Sequence, residues 1–254
     1  MARIMHILNI AAYKFIALDR LPDLQAALLD VLQAQKLKGT VLLADEGINL
    51  FLAGGRAEIN SFLTWLRLDA RFKDLETKES LSKTQPFRKL LVKIKPEIIR
   101  MDHPTIQPGG QRAPAVDALT LKRWLDTGLD DAGRPVVTLD TRNDFEADVG
   151  TFKNAIDWRI SKFTEFPQAL LDHSQELMGK TVVSFCTGGI RCEKAAIFMR
   201  EAGVENVFQL DGGILKYFEV HGSTDAHHHF EGECFVFDDR RALDPALRPK
   251  VDLG

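Results

Sequence analysis

The sequence predicts two α/β-class domains in series, an α+β sandwich followed by a parallel α/β domain, and three observations carry that expectation. The first half alternates strand-like and helical apolar patterns in the order β-α-β-β-α-β. The second half alternates short, continuously apolar segments with helical ones, the signature of a buried parallel sheet. Between them lies a stretch rich in Pro and Gly that has no apolar periodicity.

The first half opens with Ile4–Tyr13, an apolar-rich strand. Leu21, Leu24, Leu28, Leu29 and Leu32 then form a helical stripe within Leu21–Gln35. Lys38–Ala44 and Ile48–Ala53 read as strands joined by Asp45-Glu-Gly47, where glycine supplies positive φ for a hairpin. Arg56–Leu68 repeats the helical pattern through Ile59, Phe62, Leu63 and Leu66. Strands at Asp74–Ser80 and Leu90–Lys95 complete a ferredoxin-like sandwich over residues 1–100. Such a fold hosts many functions and identifies none.

A linker is expected over residues 101–116, which include Pro104, Pro108, Gly109, Gly110 and Pro114. The second domain, 117–225, carries strands at Val136–Leu139, Val182–Phe185 and Val207–Leu210. Helices are expected over Phe166–Leu177, Glu193–Ala202 and Ile214–Val220. A tail, 226–254, holds one strand-like piece, Cys234–Phe237.

Thirty-three basic residues stand against 36 acidic ones, a net charge of -3, so the chain is not basic as a whole. A local basic face remains compatible with RNA; DNA is not expected as a partner. The three cysteines, Cys186, Cys192 and Cys234, have no disulfide-framework spacing, which fits a reducing compartment and a cytoplasmic location. The N-terminus lacks the apolar core of a signal peptide, and no run is long enough to span a membrane.

Cys186 follows the apolar strand Val182-Val-Ser-Phe185, and a helix begins just beyond it. In open parallel sheets, sites form at the carboxyl ends of strands. Thr187, Gly188, Gly189 and Ile190 separate Cys186 from Arg191. Glycines let successive N–H groups turn inward as an anion-binding nest, and Arg191 adds a permanent positive charge. Both favour thiolate over thiol, which makes Cys186 a nucleophile and Arg191 its electrostatic partner. Asp140 and Arg142 end the first parallel strand on the same sheet edge; they either orient the loop, bind substrate, or form a structural ion pair beneath it.

The run Cys186-Thr-Gly-Gly-Ile-Arg-Cys-Glu-Lys-Ala195 resembles the active loop of rhodanese domains, as do Leu139-Asp-Thr-Arg142 with Glu146 and Gly150, and Asp211-Gly-Gly213. Related dual-specificity phosphatases have a loop one residue longer, which argues against phosphate chemistry here. A wider set of motifs extends the likeness. Gly39–Asn49, Asp140-Thr-Arg-Asn143, Gly150-Thr-Phe152, Phe163-Thr-Glu-Phe-Pro167, Gly212-Gly-Ile-Leu215 and Gly232–Asp238 together resemble the oxygen-dependent tRNA uridine(34) hydroxylase family. That resemblance implies a ferredoxin-like domain joined to a rhodanese domain. It also implies oxidation of the wobble uridine to 5-hydroxyuridine by molecular oxygen, with no identifiable cofactor or metal, and a catalytic, persulfide-forming Cys186. Two features depart from the pattern: no cysteine follows Cys234, and Thr151 stands where many rhodanese domains have His.

From Lys83 to Arg100, six basic residues (Lys83, Arg88, Lys89, Lys93, Lys95 and Arg100) face one acid, Glu97, a local net charge of +5. Lys93 and Lys95 alternate with Val92 and Ile94 and so share one sheet face. Arg88, Lys89, Lys93 and Lys95 are the candidate contacts to the anticodon region of tRNA, with a solvated strand face as the plain alternative. Cys192 either resolves an oxidised Cys186 or packs into the helix–sheet core. His227-His-His229 reads as a surface loop rather than a metal site, since adjacent histidines do not converge on one ion without a bent backbone. The alternative activity is a rhodanese-type sulfurtransferase, working with a sulfur-donor protein or small molecule.

Overall fold

Apolar side chains alternating along a strand bury one face, and in the first half they do so against two helices. The computed structural model describes residues 7–109, 112–222 and 228–250. The elements are β1 (Ile7–Phe15), α1 (Leu21–Ala34), β2 (Lys38–Ala44), β3 (Gly47–Gly54), α2 (Arg56–Leu66), β4 (Lys78–Ser82) and β5 (Leu90–Ile94). The sheet order is β4-β1-β3-β2-β5, with β5 parallel to β2 and the other pairs antiparallel. This is the ferredoxin-like arrangement plus one strand. Leu28 and Leu32 of α1 and Ile59, Phe62 and Leu66 of α2 join Leu8, Val41, Leu43 and Leu50 in one apolar core.

The hairpin between β2 and β3 turns on Asp45 and Glu46, with Ala44 opposite Gly47. Gly47 has φ 149°, and a Cβ there would lie 2.1 Å from the Lys14 carbonyl oxygen. The Glu46 carboxylate accepts from the Ile98 N–H at 2.8 Å, and the Asn49 amide donates to the Ile98 carbonyl at 3.1 Å. These contacts give Asp45–Asn49 a structural role. The expected strand at Asp74–Ser80 begins later, at Lys78, because a 3-10 turn at Ala70–Phe72, capped by Asp69, carries the chain past Asp74 first.

The second half comprises β6 (Ala115–Val116), α3 (Ala118–Thr127), β7 (Val136–Asp140), α4 (Asp144–Ala147), β8 (Gly150–Phe152), α5 (Phe166–His173), β9 (Thr181–Phe185), α6 (Ile190–Glu201), β10 (Asn206–Leu210) and α7 (Gly213–His221). Three short strands follow: β11 (Phe230–Gly232), β12 (Cys234–Phe235) and β13 (Ala242–Leu243). The main sheet is parallel, in the order β6-β10-β9-β7, so β9 is a central strand buried along its whole length. The expected helix over Phe166–Leu177 tightens after His173 into a 3-10 turn, Ser174–Leu177. The helix expected from Glu193 starts three residues earlier, at Ile190, because Gly189 already caps it.

Of the described residues, 7–99 form one unit with Phe237–Arg241 and 248–250; those within Arg100–Val236 and Ala242–Leu247 form the other. The tail therefore divides. Its first part pairs β11 with β8, while Asp239 and Arg240 bond to Pro86 and Ser80 of the first unit. Among the described residues, no helix is long and apolar enough to cross a membrane.

Candidate active site

The sheet places Cys186 at the carboxyl end of its central strand, and the backbone beyond it is tightly constrained. Gly189 has φ 97° and ψ −17°, a left-handed conformation that suits glycine and turns the chain into α6. Gly188 has no such φ, and a Cβ there would meet nothing within 4 Å. Only one of the paired glycines is therefore required by backbone geometry. A second helix closes the loop from outside. The first N–H groups of α7 bond to it, Ile214 to the Cys186 carbonyl and Leu215 to the Thr187 carbonyl, each at 3.0 Å. Gly213 makes that approach possible, since a Cβ there would sit 2.5 Å from the Cys186 oxygen and 2.7 Å from the Gly189 nitrogen.

With its carbonyls held outward, the loop turns N–H groups toward sulfur. The Gly189 N–H donates to Cys186 Sγ at 3.1 Å. Cys186 is fully buried, and burial is the largest single influence on its thiol, opposing ionisation. The Cys192 thiol, the Arg191 charge and the N–H groups of Arg191 and Gly189 together outweigh it, holding Cys186 well below the ordinary thiol range. Cys192 moves the opposite way, first through burial and then through its hydrogen bond with Cys186. Cys234 is pushed up to about 12 by burial, against the downward pull of Arg142 and the Thr187 hydroxyl. Of the three cysteines, Cys186 is the one whose surroundings favour the thiolate.

Two buried ion pairs support the loop. Arg142 donates to Asp140 from Nε and Nη2, the latter at 2.6 Å, and Nη2 also reaches the Gly150 carbonyl at 2.6 Å. Thr151, at the position where many rhodanese domains have His, donates to the same Asp140 carboxylate at 2.9 Å. Neither side chain of the Asp140–Arg142 pair is exposed at all. The two residues form the buried ion pair that was one of the roles expected for them.

Arg191 lies in the first turn of α6 and donates to Glu146 from both terminal nitrogens, at 2.5 and 2.7 Å. Glu146 in turn accepts from the Asn143 N–H at the start of α4, at 3.0 Å. The guanidinium is thus aimed at a carboxylate, and it acts on Cys186 through its field and its backbone N–H. Glu146 was legible only as a motif position, and nothing local signalled its partner. Thr187 and Ile190 are buried within the loop, each 8% exposed.

Cys192 is buried, with its sulfur in the core 3.7 Å from Thr141 Oγ1, as its packing alternative expects. In the first unit, Arg88, Lys89, Lys93 and Lys95 are all exposed, and β5 is an edge strand. Arg88 lies 3.5 Å from Asp239; the shared face of Lys93 and Lys95 points to solvent. His227 lies outside the described residues, while the His228 carbonyl accepts from Tyr217 and the His229 ring meets Asp126 at 2.6 Å.

Known proteins match along most of the chain. The model of the UPF0176 acylphosphatase-like domain matches residues 7–98, and that of the rhodanese-like domain matches residues 120–219. A Bordetella petrii protein named tRNA uridine(34) hydroxylase is 66% identical over 96% of this chain and 95% of its own. One of the same name from Variovorax paradoxus is 66% identical over 96% of this chain and 92% of its own. Among solved structures, a rhodanese-like domain from Anabaena sp. aligns with 47% of this chain and 80% of its own, at 22% identity and a TM-score of 0.36. With two matched domains in sequence and two-thirds identity across nearly full length, the chain belongs to the tRNA uridine(34) hydroxylase family.

Proposed function

We propose that this protein hydroxylates the uridine at position 34 of tRNA, giving 5-hydroxyuridine with molecular oxygen as co-substrate, in the cytoplasm. The observation that carries this reading is the Cys186 sulfur at the end of β9, accepting the Gly189 N–H, in a chain of this family. The thiolate adds to C6 of the uracil ring, and the displaced electron pair makes C5 the nucleophilic carbon. Nucleophilic addition of this kind divides one difficult step into two easier ones. C5 then takes one oxygen atom from O2. The other leaves as water, with two electrons and two protons supplied by a thiol-class donor. Loss of the C5 proton and departure of Cys186 restore the aromatic ring.

The loop N–H groups and the Arg191 field stabilise the anionic states at both ends of this sequence. Cys186 is enclosed, so a flipped base reaches it only after local opening around Thr187 and Ile190. Lys93 and Lys95, with Arg88 and Lys89, supply phosphate contacts from the exposed edge of the first unit. To test the assignment, tRNA nucleosides from cells carrying Cys186→Ser are analysed by mass spectrometry, and pure protein is incubated with tRNA under air and under argon. The expected result is loss of 5-hydroxyuridine in the variant and under argon. Unchanged 5-hydroxyuridine in the variant overturns the reading.

A further inference from the structure

The sheet of the first unit has two faces, and its helices cover one. That covered face draws Leu8, Ile10 and Ala12 from β1 and Leu50 and Leu52 from β3 into the apolar core. Side chains alternate along a strand, so Tyr13 and Phe15 of β1 and Phe51 of β3 stand on the other face, where all three are half-buried. β1 and β3 are paired neighbours inside the sheet, with β4 and β2 on either side, so the rings lie away from the edge strands. Directly opposite Phe51 in the two ladders are Ala11 and Thr40, and only small side chains therefore flank its ring in register. Tyr13 and Phe15 meet edge to face, with centroids 6.0 Å apart.

The charge on this face has one sign. Lys38 of β2, Lys78 of β4 and Lys93 of β5 share it, in register with Ala53, Ala11 and Leu42. The Lys78 ammonium lies 4.9 Å from the Tyr13 centroid, which brings a cation against the aromatic surface. Glu79, the one acid within the five strands, alternates to the opposite face and meets Arg56 at 3.1 Å. Aromatic rings interleaved with lysines, with no carboxylate among them, match unstacked bases strung on a phosphate backbone.

We propose that this open sheet face is a stacking platform for unpaired nucleotides of the tRNA substrate. Phe51 and Tyr13 take bases, and Lys38, Lys78 and Lys93 take the phosphates between them. The proposal rests on tRNA being the substrate, and it concerns nucleotides other than the one that reacts at Cys186. Bases in duplex RNA are enclosed by pairing, so an aromatic sheet face takes a loop or a single-stranded end. Every base has a π-face, so the platform contributes affinity and position with little sequence preference.

The test is binding of the full chain to a labelled tRNA anticodon stem–loop, followed by fluorescence anisotropy over a range of salt concentrations. Phe51→Leu keeps apolar bulk and removes the π-face; it is expected to weaken binding about tenfold with an unchanged salt slope, while Phe51→Tyr binds as wild type. Lys93→Ala is expected to weaken binding and to lower the salt slope by about one. Affinity of Phe51→Leu within about twofold of wild type overturns the platform, and is also the outcome if this face docks a protein. Failure of the wild-type chain to bind the stem–loop overturns it too.

Should Phe51→Leu fail to fold, photocrosslinking of the wild-type chain decides. With 5-iodouridine placed at each loop position in turn, crosslinks to Tyr13 or Phe51 are expected by peptide mass spectrometry. Crosslinks confined to the second unit overturn the proposal. Neither measurement depends on hydroxylation. Normal stem–loop binding by Phe51→Leu overturns the platform even if 5-hydroxyuridine is formed, and binding that requires the aromatic ring upholds it even if none is formed.

Discussion

The two halves of the molecule solve opposite problems. In the first unit the buried polar residues are Asn9, Asn49 and Ser82, and among the described residues none is charged. In the second, Asp130, Asp140, Arg142, Glu146, Arg191, Glu193 and Lys194 are all buried. Removing a charge from water is costly, and a buried pair is seldom worth more than the apolar packing that could replace it. The first unit is therefore organised by hydrophobic burial. The second gives up some of that advantage to hold a sulfur anion among fixed dipoles. Stability and chemistry are concentrated in different places.

The sharpest break between them is chemical. Cys186→Ser is expected to lower tRNA hydroxylation by about 10³-fold or more while leaving the thermal midpoint almost unmoved, measured by single-turnover nucleoside analysis and calorimetry. A large loss of stability in that variant would erase the distinction. Glu146→Ala strands the Arg191 guanidinium in a buried site and is expected to destabilise the fold by about 3–5 kcal/mol in denaturant titrations. It should also move the Cys186 thiol further down, because a negative charge leaves while the Arg191 cation remains.

In the first unit, Leu28→Ala is expected to cost about 2–5 kcal/mol by cavity formation, since Leu28 is wholly buried in the apolar cluster. It should leave the Cys186 titration untouched, so a shift there would mean that the halves are not separable. Asp130 gives a pH test. Burial is the largest influence on its carboxyl, but donation from Thr181, Arg134 and Ala132 prevails and holds it well below the usual carboxylate range. A depressed folded value contributes stability above the unfolded pKa of about 4, and loses it as pH falls through the folded one. The stability gap between wild type and Asp130→Asn is therefore expected to be full at neutral pH and to close in acid. The smallest structural effect belongs to Lys93→Glu with Lys95→Glu. Stability should change by less than about 0.5 kcal/mol, while tRNA binding weakens and its salt dependence flattens.

The sequence revealed the loop because its signals are local: an apolar strand, Cys186, two glycines and Arg191 fall within a dozen residues. The shell around the loop was not legible in the same way. Glu146 lies 45 positions from Arg191, and Cys234 comes from beyond α7, so no spacing rule joins them to the sulfur. The helix α3 escaped because only Ala118, Leu121 and Trp124 of its ten residues are buried, too few to draw a stripe. Strands β8 and β11, three residues each, are shorter than the span over which a period of two becomes visible. In the first unit the opposite held. Long amphipathic segments announced α1, α2, β2 and β3, and the one displaced strand, β4, followed a turn whose cap residue Asp69 was the only cue.

The docking of α7 onto the loop has a consequence for engineering. The peptide planes of Cys186 and Thr187 are oriented by Ile214 and Leu215, and the approach depends on a glycine at position 213. A transplant of residues 186–191 into another parallel sheet would carry the letters of the motif without the clamp that gives them their orientation. The smallest portable unit of this chemistry runs from the end of β7 to the second turn of α7, and a designer who stops at the arginine would graft an ordinary buried thiol.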